Sequence, residues 1–252
     1  MTVGARWGRV PVPRPGAPQL LCLPYAGGNS RIFAGWPRAL PRYEVVVAAL
    51  PGRDRRFGES PPDRMTRLVP QLAAGVGTML DRPYAVFGHS MGALVAFELA
   101  RWSRHRGSPE PSLLLLSGCT PPALRVPSAP DADVKSLLRR LKQLGGTPAE
   151  ALADPELLHV LLPVLKADFA LVDTYAAASE PPLSIPLTAI AGTGDPDAHP
   201  EAMRGWAEET TGTFELRTVP GGHFFVHDHE EELIGQVSEA LDNIRLGDPE
   251  SG

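Results

Sequence analysis

Cysteine is scarce in this chain. Cys22 and Cys119 are the only two in 252 residues, which excludes a disulfide-stapled scaffold and makes a small buried thiol the simplest reading of each. Long apolar runs are missing as well. No stretch approaches the ~18 consecutive apolar residues of a membrane span. The N-terminal segment, with Arg6, Arg9 and Pro11-Val12-Pro13-Arg14-Pro15-Gly16, lacks the apolar region of a signal peptide, so a cytoplasmic protein without membrane contact is expected. Basic blocks are short, none extending beyond Arg55-Arg56 and their neighbours. With Lys+Arg 24 against Asp+Glu 29 the net charge is −5, and nucleic acid is not an expected partner.

What is present is ordinary for a globular chain: 43% hydrophobic and 21% charged residues, enough for one substantial core and a single domain over residues 1–252. Gly (25) and Pro (28) make up roughly a fifth of the chain, below the ~25–30% of low-complexity sequence. Short β-branched or Leu-rich runs at 20–23, 45–50, 84–87, 113–117, 187–191 and 214–219 read as strands. Leu68, Leu72, Val76 and Leu80, and later Leu233, Val237, Leu241 and Ile244, fall at helical spacing between and after them. Strand and helix alternate, so the fold class is α/β: a mainly parallel sheet covered on both faces, because parallel neighbours require crossovers.

Residues 121 to about 185 break the alternation with helical patterns alone and read as an insertion. One helix carries Val134, Leu137, Leu138, Leu141 and Leu144 and ends at Gly145-Gly146. A second begins near Pro155 and bears Leu157, Leu158, Leu161, Leu162, Leu165, Phe169, Val172 and Tyr175. That helix is apolar on more than one face, and Pro163 inside it should kink or split it. Core packing is one explanation of its two faces; a lid over a substrate chamber is the other. The segment before about Pro18 and the tail from Gly247 are Pro/Gly-rich or polar and are expected to be mobile.

Gly88-His89-Ser90-Met91-Gly92 matches G-x-S-x-G, and its setting between the 84–87 strand and an apolar helical segment is that of a nucleophile elbow. A serine hydroxyl needs a base, itself oriented by a carboxylate. Of seven histidines, His223 in Pro220-Gly221-Gly222-His223 follows a strand directly and emerges at the same sheet edge as Ser90. His105, His159, His199, His227 and His229 read as solvated or capping, and His89 as structural or pocket-lining. The acid is expected after the preceding strand, where Gly192-Thr193-Gly194-Asp195 stands with Asp197 two residues on. Asp195 is favoured, and sequence alone leaves Asp197 in competition. An oxyanion hole needs backbone N–H groups, one from Met91 and one from the loop after the first strand, with Ala26 favoured over Tyr25.

Taken together, Leu23-Pro24-Tyr25-Ala26-Gly27-Gly28, Leu50-Pro51-Gly52-Arg53 with Arg55-Arg56, the elbow, Leu144-Gly145-Gly146-Thr147-Pro148, Leu165-Lys166-Ala167-Asp168-Phe169 and Gly221-Gly222-His223-Phe224-Phe225 resemble the type II editing thioesterases of polyketide and nonribosomal peptide assembly lines. Nearly the whole chain is covered. The resemblance implies an α/β-hydrolase fold with Ser90 as nucleophile, His223 as base, Asp195 as orienting acid, and Ala26 and Met91 as oxyanion donors. It also implies a lid insertion at about 121–185 over an acyl chamber, for which Tyr25, Leu138, Leu161, Phe169 and Tyr175 are candidates. The implied substrate is an acyl group on the phosphopantetheine arm of an acyl or peptidyl carrier protein. Its hydrolysis needs no metal or cofactor, and nothing in the sequence calls for more than a monomer. Carrier proteins are commonly acidic, and Lys135, Arg139, Arg140 and Lys142 form a basic cluster that could receive one. The Arg53, Arg55, Arg56 group reads as a turn held by ion pairs. Three other readings share these residues: a general carboxylesterase or lipase, an acyltransferase, and a non-catalytic carrier-binding module.

Overall fold

A computed structural model describes residues 4–130, 133–144 and 155–244. Its centre is a seven-stranded sheet: β1 (Gly8–Arg9), β2 (Gln19–Leu23), β3 (Glu44–Ala48), β4 (Tyr84–His89), β5 (Leu113–Ser117), β6 (Leu187–Gly192) and β7 (Phe214–Val219), in the order β1-β3-β2-β4-β5-β6-β7. All neighbours run parallel except β1, which pairs antiparallel with β3. The apolar runs form strands because both their faces are covered. In β2, Leu21 and Leu23 enter one core with Val86 and Leu114, while Leu20 and Cys22 enter another with Val45, Val47 and Phe87.

The helices that cover the sheet are α1 (Gly4–Trp7), α2 (Trp36–Ala39), α3 (Met65–Val76), α4 (Met91–Arg106), α5 (Val134–Leu144), α6 (Pro155–Asp173), α7 (Pro200–Met203), α8 (Phe225–Asp228) and α9 (Glu230–Asn243). On one face Leu68 and Leu72 of α3 and Leu94 and Phe97 of α4 share a core with Trp206. On the other, Trp36 of α2 meets Leu233, Val237 and Leu241 of α9. α4 ends at Gly107, whose left-handed φ of 60° lets its N–H close the last turn on Ser103 and Arg104. Among the described residues, those between β5 and β6 form helices and no strand of the sheet. There α6 is one continuous helix through Pro163, so it does not split at that residue. The Gly145-Gly146-Thr147-Pro148 turn and the Gly247 tail lie outside the described residues.

The N-terminal segment departs from expectation. Rather than being loose, it is docked by Trp7, which is 8% exposed. The indole lies against Gly75 of α3, where any Cβ would collide with it, and the Arg56 guanidinium stacks 3.7 Å above its ring. Gly8 and Arg9 then extend the sheet beside β3. Composition marked the segment as mobile, but at Trp7 one aromatic side chain with a glycine-shaped seat ties the chain to α3. Trp7→Ala should lower the unfolding free energy by about 3 kcal/mol, read by urea denaturation; a loss within ~0.5 kcal/mol, the usual range of surface substitutions, would place the segment outside the cooperative core.

Candidate active site

Parallel strands bring their carboxyl ends to one edge, where ligands of such sheets bind. β4 delivers Ser90 there with φ 55° and ψ −116°, a conformation that costs a non-glycine residue about 1–3 kcal/mol. The flanking glycines make the sharp turn possible. A Cβ at Gly88 would strike the Gly92 carbonyl, and one at Gly92 the Leu23 carbonyl. The Ser90 N–H donates to the Ser117 carbonyl of β5 at 2.8 Å, fixing the turn while its side chain stays half-buried at the head of α4.

β6 and β7 bring in two more groups. The Ser90 hydroxyl lies 3.0 Å from His223 Nε2, and His223 Nδ1 lies 2.8 Å from Asp195 Oδ2. A carboxylate can only accept, so Nδ1 carries the proton and Nε2 faces the serine as an acceptor. Asp195 is fully buried. Burial opposes its ionisation, but the hydrogen bond and charge of His223, with the backbone N–H groups of Ala198 and Asp197, hold its carboxyl below the usual value. Those N–H groups reach Oδ1 at 3.1 and 2.9 Å. Geometry therefore separates the two aspartates: Asp195 faces the imidazole, whereas Asp197 is exposed and supplies its backbone.

The other histidines are placed elsewhere. His105 pairs with Glu180, His159 is exposed on α6, His199 caps α7, His229 stands at the N-terminal boundary of α9 without a side-chain capping bond, and His227 shares a 2.7 Å hydrogen bond with the Tyr25 hydroxyl. His89 is wholly buried. Its Nε2–H donates to the His223 carbonyl at 2.9 Å, leaving Nδ1 to accept from the Ser117 hydroxyl at 2.9 Å. The variable residue of the elbow thus ties β4 to β5 and to the backbone of the histidine loop, a positioning role that the sequence marked as structural without supplying the contact. Burial, reinforced by the neighbouring His223, lowers its pKa to about 3, so the ring stays neutral.

The loop after β2 turns at Tyr25–Gly28, with the Gly28 N–H bonded to the Tyr25 carbonyl at 2.9 Å and Gly27 at φ 78°. Its anchor comes from α6. Asp168 accepts the Gly27 N–H at 2.7 Å on one oxygen and Arg53 at 2.8 Å on the other, while Arg53 also donates to the Gly28 carbonyl at 3.0 Å. Both side chains are buried. The sequence offered the Pro-Gly-Arg and Ala-Asp-Phe segments without any reason to join them. Met91, as the first residue of α4, has an N–H with no helical acceptor, and it borders the same cavity as Ala26.

That cavity has a volume of about 80 Å³, and its walls include Tyr25, Ser90, Leu141, Phe169 and His223. Three chamber candidates belong elsewhere. Leu138 and Leu161 pack with Leu137, Leu141, Leu165 and Phe169 into a small core between α5 and α6, and Tyr175 lies over α4, donating its hydroxyl to Glu98 at 2.7 Å. The apolar stripes of α5 and α6 are thus used largely against each other, with Leu141 and Phe169 also reaching the cavity. Of the basic cluster, Lys135 and Arg139 are exposed. Arg140 instead turns inward, pairing with Asp173 at 2.6 Å and lying 4.3 Å over the Phe169 ring. The Lys142 side chain lies outside the described residues.

A serine facing a histidine held by a buried carboxylate, on an elbow at the carboxyl edge of a parallel sheet, is the arrangement of the α/β-hydrolase class. Comparison with known proteins narrows this. A Thioesterase domain family model matches residues 18–241. Linear gramicidin dehydrogenase LgrE of Brevibacillus parabrevis is 37% identical over 90% of this chain and 89% of its own length; its name denotes redox chemistry, whereas the matched family is thioesterase. Gramicidin S biosynthesis protein GrsT of Aneurinibacillus migulanus is 35% identical over 88% of each chain. The solved structure of the type II thioesterase BorB from the borrelidin biosynthetic cluster is 36% identical, with a TM-score of 0.84 over 93% of this chain and 97% of that one. The chain belongs to the thioesterase family of α/β-hydrolases.

His89 generates a pH prediction. Its native pKa lies below the ~6.5 of an unfolded histidine, so the unfolded chain binds the extra proton. Its contribution is present above pH ~6.5 and is lost as pH falls toward 3. His89→Gln keeps a donor and an acceptor without the titration. Urea unfolding between pH 6.5 and 4 should show its stability falling less steeply than wild type, by up to about 1.4 kcal/mol per pH unit; parallel curves would mean that His89 is protonated in the native state.

Proposed function

We propose that this protein hydrolyses acyl thioesters on the phosphopantetheine arm of acyl or peptidyl carrier proteins, clearing stalled or aberrant acyl groups during natural-product assembly. The observation that carries the reading is the hydrogen-bonded line from Ser90 through His223 to Asp195, opening on a small cavity beneath α5 and α6. Ser90 Oγ attacks the thioester carbonyl while its proton passes to His223 Nε2, and the imidazolium is stabilised by Asp195. The tetrahedral oxyanion accepts the N–H groups of Ala26 and Met91. On collapse the carbon–sulfur bond breaks, and His223 returns its proton to the departing thiolate. Water deprotonated by the same nitrogen then releases the acid and restores Ser90.

A cavity of about 80 Å³ is small beside the ~300–1,000 Å³ of typical ligand sites, which favours short acyl groups. In this reading residues 121–185 form a lid within a single 1–252 domain. Exposed Lys135 and Arg139 on α5 receive an acidic carrier, and the enzyme works as a cytoplasmic monomer. No helix among the described residues is long and apolar enough to cross a membrane.

The test compares one acetyl group on a carrier protein, on N-acetylcysteamine and on an alkyl ester. The carrier-bound thioester should be cleaved fastest, and Ser90→Ala should lose most of a ~10⁶-fold contribution. Added salt should slow cleavage on the carrier and spare the small thioester, and Lys135→Glu with Arg139→Glu should reproduce the salt effect. Fastest cleavage of the oxygen ester would identify a general esterase. Activity that survives Ser90→Ala would overturn the assignment of the nucleophile.

A further inference from the structure

The cavity beside Ser90 has an arginine in its wall that neither the hydrolytic chemistry nor the packing employs. Arg125 follows the short turn Pro122–Leu124 in the loop leaving β5. Among the described residues no carboxylate pairs with it. Its Nη1 meets the Cys119 sulfur at 3.9 Å and its Nη2 the Val172 carbonyl at 3.5 Å, distances at which little hydrogen bonding is left. Its Nε is buried without an acceptor. Arg125 itself is half-buried, whereas each fully buried arginine has a carboxylate partner: Arg53 has Asp168, Arg56 has Glu59, Arg101 has Glu98 and Glu180, and Arg217, whose Nε likewise lacks an acceptor, has Glu215 and Glu239. Leaving a guanidinium partly desolvated and unpaired costs free energy that an arriving anion would recover.

The surroundings fit an anion on the acyl group. Cys119 and Val172, which Arg125 touches, line the same cavity as Ser90 and His223. The loop is held in place by the Trp206 indole, which donates to the Cys119 carbonyl at 2.7 Å. Arg140 adds a second guanidinium to the wall, already balanced by Asp173. Asp197 also borders the cavity, exposed to solvent. The phosphate of a pantetheine arm is separated from the thioester sulfur by the whole arm, too far to share a cavity of about 80 Å³ with Ser90. A carboxylate at the end of a short acyl chain is an anion that a cavity of this size can hold together with the thioester carbonyl.

We infer that Arg125 forms an anion subsite selecting short acyl groups that end in a carboxylate, the half-thioesters of dicarboxylic acids. The inference rests on the thioesterase reading and names its substrate class. The carboxylate accepts two N–H groups from the guanidinium and so fixes the acyl chain with its thioester carbonyl toward Ser90.

The experiment measures kcat/KM on N-acetylcysteamine thioesters of malonate and succinate against those of butyrate and pentanoate, for wild type, Arg125→Gln and Arg125→Lys. Wild type should favour the carboxyacyl members. Arg125→Gln should lower the carboxyacyl-to-neutral ratio by about tenfold or more, the worth of one charge-assisted hydrogen bond, and Arg125→Lys should keep part of it. Calorimetric binding of the succinyl and pentanoyl thioesters to Ser90→Ala, with and without Arg125→Gln, reads the subsite independently of turnover. Equal or inverted preference in wild type, or a ratio and a binding difference unmoved by Arg125→Gln, would overturn the inference while leaving the thioesterase reading intact. A third arm compares butyryl-coenzyme A with butyryl-N-acetylcysteamine. If Arg125→Gln alters only that pair, the anion is the arm's phosphate and the acyl subsite is wrong. Failure of wild type to cleave any thioester would instead strike the functional reading, and the binding arm would still decide the subsite.

Discussion

The buried pair of Arg53 and Asp168 is the joint between the sheet and the helical segment above it. Removing two charges from water costs several kcal/mol, repaid only when their remaining hydrogen-bonding capacity is met. Here it is met closely: Asp168 gives one oxygen to Arg53 and the other to the Gly27 N–H, and Arg53 spends its other nitrogens on the Gly28 and Pro51 carbonyls. Three separate segments are therefore fixed to one another: the loop after β2, the turn after β3 and α6. The backbone N–H groups proposed to receive the oxyanion depend on that loop holding its shape when charge develops. The same pair fixes α6, whose Phe169, one residue on, reaches the cavity.

The strands were legible because a fully covered parallel strand is a short continuous apolar run, and the elbow because Gly88 and Gly92 leave no space for any other residue. Asp195 and Asp197 could not be told apart from spacing, since what separates them is direction: one carboxylate is buried against His223 and the other faces solvent. Helical periodicity identified the apolar faces of α5 and α6 correctly but could not say what each would cover. Leu138 and Leu161 went to the interface between the two helices, and Tyr175 to Glu98 on α4. Arg140 read as one of four cations in a basic cluster suited to an acidic carrier. It turned inward because Asp173 and the Phe169 ring, both on the neighbouring helix, lie within its reach. Such pairings join residues about thirty positions apart and leave no local pattern.

The site is also held electrically simple. Buried histidines near a catalytic imidazole could compete for its proton, yet His89 is kept neutral by burial and by His223 itself, and its hydrogen bonds are consumed by Ser117 and the His223 carbonyl. With the second ring unable to charge, the one imidazole facing both a hydroxyl and a carboxylate is His223.

The same reasoning applies to the proposed nucleophile. Cys119 lines the cavity with Ser90, and a thiolate is intrinsically the stronger nucleophile. Burial raises its pKa to about 11, and the nearby Arg125 offsets only part of that, so at neutral pH it remains a thiol with its sulfur directed toward the Thr120 carbonyl. Acyl transfer to it would exchange one thioester for another of similar energy, leaving the product no easier to release. In the proposed mechanism, transfer to Ser90 exchanges the thioester for an oxygen ester lying against His223, where water would be activated. Two nucleophilic atoms share the cavity, and burial of one and hydrogen bonding of the other favour the serine as the proposed nucleophile.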